Sequence, residues 1–220
     1  MVKKAIVLLS GGVDSAVTLY EAKVDYDCKV LTFDYGQKAR KEIDHAKLVA
    51  EAAGCEYMVL KIDLPWKGSA LLDKEKKIPE GMESAEGGIP DTYVPSRNVI
   101  FLSFGVSYAE AIGAEAVFIG AHQMDYSNYP DCRSEFFDNY RETIRYGTRA
   151  GVESHSIKIE TPVIDRSKKE IVEIGDRSGV PFELTWSCYH GDKKPCGKCE
   201  SCLFRKQAFE EAGVPDPGVK

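Results

Sequence analysis

The chain has 220 residues, 29 Lys and Arg against 35 Asp and Glu, and a formal net charge of −6. With 43% hydrophobic and 29% charged residues it can bury a core, which excludes a disordered chain, a collagen and a coiled coil. The acidic balance also excludes a protein that coats nucleic acid through a broad basic surface.

The length suits one domain, or one domain with a small appendage. At the N-terminus Lys3 and Lys4 precede only five aliphatic residues before Ser10 and two glycines. That is short of the roughly 7–15 apolar residues of a secretion signal, so the cytoplasm is the expected location. Residues 4–9 read as a buried strand because they form a continuous aliphatic run stopped by glycine. A helix is expected over 14–23, a strand over 29–33, a helix over 38–53 with Ile43, Ala46, Ala50 and Ala53 on one face, and a strand over 56–62. This alternation predicts an α/β fold with a parallel sheet and crossover helices. Residues 64–96, with four prolines and four glycines, break the rhythm and read as a long functional connection. Residues 98–112 then read as an apolar, buried helix whose uncharged part, 98–109, is shorter than the roughly 18–20 residues of a membrane span. A strand over 116–120, a helix over 135–149, a strand over 156–160 and helices over 168–179 and 202–212 complete the pattern.

Where the first strand meets the first helix stands Leu9-Ser10-Gly11-Gly12-Val13-Asp14-Ser15. At the C-terminal edge of a parallel strand, the N–H groups of a glycine-rich turn and the positive end of a helix dipole bind phosphate oxygens. The hydroxyls of Ser10 and Ser15 can add donors. An ordinary strand-to-helix turn with Asp14 or Ser10 as cap is the alternative, but the full string S-G-G-x-D-S behind an apolar strand is more specific than that. It matches neither G-x-x-x-x-G-K-S/T nor G-x-G-x-x-G. The string resembles the signature of the ATP pyrophosphatases, which cleave ATP between its α and β phosphates and transfer AMP to a substrate oxygen. That resemblance implies that residues 9–15 bind ATP, with Ser10, Asp14 and Ser15 catalytic and Asp14 a partner of Mg²⁺ or an organiser of the loop.

Cys188, Cys196, Cys199 and Cys202 follow the spacing C-x7-C-x2-C-x2-C. Four thiolates on short loops suit one structural Zn²⁺. An iron–sulfur cluster, a redox C-x-x-C pair, or a site with His190 in place of one thiol are the alternatives. Seven cysteines, three of them within 196–202, argue against a disulfide framework. Cys28 and Cys55 read as small core residues.

After the fourth strand comes 120–133, in the position where open α/β sheets bind ligands. Its rings can stack on a heterocycle, and Asp131 can accept two N–H groups of a guanine-like edge. Tyr129-Pro130-Asp131-Cys132-Arg133, taken with the loop and the four cysteines, resembles the 7-cyano-7-deazaguanine synthases, the QueC family. Val94-Pro95-Ser96-Arg97-Asn98, Thr161-Pro162-Val163-Ile164, Ser167-Lys168 and Ser187-Cys188-Tyr189 carry the likeness along nearly the whole chain. Asn128 stands where glycine is familiar and Ser134 where proline is.

The resemblance implies a Rossmann-like adenine nucleotide alpha hydrolase-type core over 1–180 and a zinc-binding C-terminal subdomain over 181–220. It also implies a homodimer with neither nucleic acid nor membrane as partner. The implied reaction joins 7-carboxy-7-deazaguanine and ammonia, with ATP, to give the nitrile of queuosine biosynthesis. Adenylation makes a carboxylate oxygen a leaving group for ammonia, and a second activation, of the amide oxygen, gives the nitrile. Arg97 and Lys168 are expected to stabilise charge on the phosphates, with Arg133 a further candidate, and Tyr129, Asp131, Cys132 and Arg133 to contact the substrate. Cys132 is expected to contact or pack rather than to attack. A tRNA sulfur-inserting relative of the same superfamily and a non-enzymatic zinc-ribbon module are the rival readings.

Overall fold

The computed structural model describes residues 2–81, 88–122, 129–191 and 193–219. In chain order the elements are β1 (Lys3–Leu8), α1 (Val13–Ala22), β2 (Tyr26–Asp34), α2 (Lys41–Ala53), β3 (Glu56–Lys61), α3 (Arg97–Ile112) and β4 (Ala116–Ile119). They continue with α4 (Ser134–Gly147), α5 (Arg149–Val152), β5 (Lys158–Glu160), α6 (Lys168–Arg177) and α7 (Glu200–Ala212). The five strands are all parallel in the order β3-β2-β1-β4-β5, the Rossmann-like arrangement expected. The chain winds outward from β1 to β3 and then returns to place β4 on the other side of β1. Strand order therefore reverses between β1 and β4, and open α/β sheets bind ligands at that reversal.

β1 is aliphatic on both faces because both faces are covered. Ala5, Val7 and Leu9 belong to a core shared with α1, α2, α6 and α7, through residues such as Leu19, Val49, Ile171 and Phe209. Ile6 and Leu8 face the opposite core, with Leu102 and Val106 of α3 and Phe137 and Ile144 of α4. Cys28 lies in the first core, with Cys55 packed against it. In register Leu8 stands opposite Leu31 and Ile119, so β1 and β4 end at one level while β2 runs on to Asp34. At that edge Gly120 has no room for a side chain: a Cβ there would lie 2.9 Å from the carbonyl of Asp14. The end of β4 is thereby pressed against the start of α1.

The helix expected to be buried over 98–112 is buried on one side only. Leu102, Val106 and Ala109 face the sheet, while Phe104 is 40% exposed, because α3 forms the outer layer over that face. α2 begins at Lys41, later than the pattern suggested, because Gln37 holds the preceding turn. Its Oε1 accepts the Tyr35 N–H at 2.9 Å and its amide donates to the Phe33 carbonyl at 3.1 Å. The single helix expected over 135–149 breaks at Thr148, whose hydroxyl caps α5 by accepting the Gly151 N–H at 3.0 Å. α6 opens on a reciprocal cap between Ser167 and Glu170. The described part of the long connection is pinned: Leu71 and Val94 enter the second core, and Glu80 makes an antiparallel bridge to Cys199.

Candidate functional site

The turn between β1 and α1 is wound around two hydroxyls. Ser10 and Ser15 Oγ lie 3.0 Å apart, the Ser10 N–H donates to Ser15 Oγ at 3.2 Å, and Ser15 Oγ donates to the Gly12 carbonyl at 3.1 Å. Gly12 is the N-cap of α1 and offers no side chain to close its first turn, so the first N–H groups of the helix remain for a ligand. Gly11, at φ +88°, is turned toward α2. Two residues distant in sequence hold the turn in place: the Thr32 hydroxyl donates to the Leu9 carbonyl at 2.7 Å, and the Trp186 N–H donates to the Gly11 carbonyl at 2.8 Å.

The turn forms the floor of a cleft of about 290 Å³. Leu9, Ser10, Gly12, Val13, Asp14 and Ser15 line it, together with Arg97, Tyr129, Cys132 and Lys168. Residues far apart in sequence are thus brought together. Lys168, on the first turn of α6, holds Asp14 at 2.6 Å. Arg97, at the start of α3, donates to the Tyr35 hydroxyl at 3.2 Å. Tyr129 shares a 2.7 Å hydrogen bond with Thr92 of the long connection. The Asn98 amide donates to Cys132 Sγ at 3.3 Å, yet burial pushes that thiol up to about 11 and leaves it neutral.

Asp131 and Arg133 do not line the cleft. Asp131 Oδ2 accepts the Asn98 N–H at 2.9 Å, so this buried carboxylate caps the first turn of α3, where the helix dipole favours an anion. Arg133 is exposed at the N-terminus of α4. Ser134 opens α4. Residues 123–128 of the same loop, Asn128 included, lie outside the described residues.

Among the lining residues that sequence reasoning did not single out are Tyr35, Glu42, Trp186 and Glu200. Tyr35 and Glu42 follow β2, the strand beside β1, and a search for polar residues just past strand ends would have found them. Burial pushes the Glu42 carboxyl up to about 8, against the pull of Arg97.

The tail supplies one wall of the cleft and ends in the cysteine knuckle. The Sγ atoms of Cys188, Cys196, Cys199 and Cys202 all lie within 4.8 Å of one another, and those of Cys196 and Cys202 are 3.9 Å apart. A tetrahedral ion with bonds of roughly 2.3 Å puts its sulfurs about 3.8 Å apart, so the set fits such an ion. The N–H groups of His190 and Cys196 point at Cys188 Sγ, and those of Lys198 and Cys199 at Cys196 Sγ, all within 3.3–3.4 Å. Hydrogen bonds from Cys199 and Cys202, with those N–H groups, hold the Cys188 thiol far below its ordinary range. His190 contributes no ring atom to the cluster, which is a set of four sulfurs.

A family model described as queuosine biosynthesis protein QueC matches residues 4–213. The 7-cyano-7-deazaguanine synthase of Trichodesmium erythraeum (strain IMS101) is 47% identical over 219 residues, covering 97% of this chain and 99% of that protein. The 7-cyano-7-deazaguanine synthase of Acinetobacter baylyi (strain ATCC 33305 / BD413 / ADP1) is 48% identical over 217 residues, covering 97% of this chain and 93% of that protein. Among solved structures, the U34-tRNA thiolase NcsA from Methanococcus maripaludis with its 4Fe-4S cluster superposes at a TM-score of 0.48, with 16% identity, over 95% of this chain and 65% of that one. NMN synthetase from Francisella tularensis superposes at 0.47, with 16% identity, over 97% of this chain and 79% of that one. Among the described residues no helix is long and apolar enough to cross a membrane. With relatives named as synthases matched along nearly their whole length and the family model running almost from end to end, the chain belongs to the QueC family of queuosine biosynthesis proteins.

Proposed function

We propose that this chain converts 7-carboxy-7-deazaguanine and ammonia to 7-cyano-7-deazaguanine, using ATP to adenylate first the acid and then the amide. The observation that carries the reading is the uncapped start of α1, ringed by Ser10 and Ser15, at the sheet edge where strand order reverses. The N–H groups there and the two hydroxyls receive the β and γ phosphates of ATP. Lys168 and Arg97 both line the cleft and offset charge that builds on the α phosphate as its bond to the β phosphate breaks. Asp14 steers Lys168 through their ion pair and is the carboxylate at hand for Mg²⁺, which when bound neutralises phosphate charge. Tyr129 and Cys132 flank the deazaguanine.

The cysteine set suits one structural Zn²⁺, which would cross-link residues 188–202 and hold 181–220 as a subdomain against the main domain. The protein acts as a homodimer in the cytoplasm on small molecules alone.

Incubation with ATP, Mg²⁺, ammonium and the carboxy-deazaguanine is expected to yield nitrile, AMP and pyrophosphate, read by mass spectrometry and nucleotide chromatography. ADP and phosphate as direct products would overturn the cleavage position. A brown, iron-rich, tRNA-binding preparation would favour sulfur insertion, and absence of any ATP turnover would leave a metal-binding module. Because its thiol stays neutral, Cys132→Ala is expected to keep turnover within about tenfold of wild type, whereas loss of a covalent nucleophile costs several orders of magnitude.

A further inference from the structure

We propose that Glu42 is the general base that deprotonates the ammonia cosubstrate in this cleft. The proposal rests on the reading above, that an acyl adenylate is aminated beside the phosphate turn. At neutral pH the cosubstrate is ammonium, which has no lone pair, so one N–H bond must break before nitrogen can attack.

Among the described residues three carboxylates line the cleft: Asp14, Glu42 and Glu200. Asp14 is held by Lys168 at 2.6 Å. Glu200 is buried at 4% exposure, beneath the cysteine knuckle and near Tyr129 and Tyr189. Glu42 differs from both. It is half-buried on the first turn of α2, with Arg97 and Cys188 as its charged neighbours and no hydrogen bond to its carboxylate among the described residues. Its backbone is fixed against the phosphate turn, since a Cβ on Gly11 would lie 2.4 Å from the Glu42 carbonyl oxygen. Burial holds this carboxyl at about 8 against the pull of Arg97, so in the cleft it exchanges between acid and base close to neutral pH and can take a proton from ammonium.

The step balances as follows. An N–H bond of ammonium breaks, its proton goes to a Glu42 oxygen and its electron pair stays on nitrogen. The nitrogen pair forms the C–N bond at the acyl carbon, the C–O bond to AMP breaks, and AMP leaves with the two electrons of that C–O bond. A second proton passes from the new amide nitrogen to solvent water.

Two half-reactions and two nucleophiles test this. Acid-dependent exchange of pyrophosphate into ATP needs no nitrogen nucleophile, and hydroxylamine is already a free base at neutral pH. Glu42→Gln is expected to keep exchange and hydroxamate formation within about threefold while amide formation from ammonium falls by about 10²–10³, the range of a lost general base. Equal loss with both nucleophiles, or an undiminished ammonium reaction, would overturn the proposal. Should Glu42→Gln lose exchange, the ratio of ammonium to hydroxylamine rates in Glu42→Asp decides: a fall of about tenfold supports the base and an unchanged ratio overturns it. A wild-type protein without acid-dependent exchange would instead overturn the adenylation reading itself.

Discussion

Gly11→Ala is expected to destroy the phosphate site and to destabilise the whole domain by about 3 kcal/mol. Two independent obstacles act at this residue. Its φ of +88° is unfavourable for any L side chain, and a Cβ would lie 2.4 Å from the Glu42 carbonyl oxygen and 2.8 Å from the Ala46 nitrogen. Both neighbours are main chain of α2, which cannot move without leaving the sheet. Gly12→Ala is the informative contrast. The nearest atoms to its Cβ are Ser10 Oγ at 3.5 Å and the Trp186 carbonyl oxygen at 3.7 Å, so the protein is expected to fold with a loss below about 1 kcal/mol. Its methyl group would nevertheless stand on the cleft floor, where the proposed phosphate site requires close approach. Thermal melts and ATP titrations of the two variants should therefore part: Gly11→Ala melts well below wild type, Gly12→Ala melts close to it, and neither binds ATP.

Cys199→Ser is expected to release the metal and lower Tm by about 10 °C, since each kcal/mol shifts a domain of this size by about 2–4 °C and a lost ligand weakens metal binding by several. Cys199 is fully buried, caps α7 and carries the bridge to Glu80. Losing its thiolate loosens the knuckle, the first turn of α7 and the long connection together. Metal analysis and calorimetry check the expectation; a variant that kept one metal per chain and wild-type Tm would show that the cluster is not a structural centre. Trp186 and Tyr189 line the cleft just upstream, so KM for the carboxylate substrate should rise in any partly demetallated sample before global unfolding is seen.

Local chemistry made much of this molecule readable. Residues 4–9 read as a buried strand because the five consecutive aliphatic residues Ala5 to Leu9 are stopped by Ser10 and two glycines. The turn from Ser10 to Ser15 and the clustering of the four cysteines are legible for the same reason, each being a short string whose spacing specifies a local geometry. Asp131 illustrates the limit. A carboxylate in a ligand loop has the right chemistry for a guanine edge, but the sequence does not reveal that the uncapped start of α3 is next to it and takes its charge. Glu42 shows the converse, an acidic residue with the pattern of an ordinary solvated helix face that the sheet edge draws into the cleft. α3 was misjudged because an all-round apolar helix has the same composition whether one side or both are covered.

The hydrogen bond from Trp186 to the Gly11 carbonyl has a bearing on biosynthesis. The turn at Ser10 to Ser15 leaves the ribosome well before Trp186, which braces it, has been made. A nascent or prematurely terminated polypeptide that stops short of Trp186 therefore carries the turn without its brace.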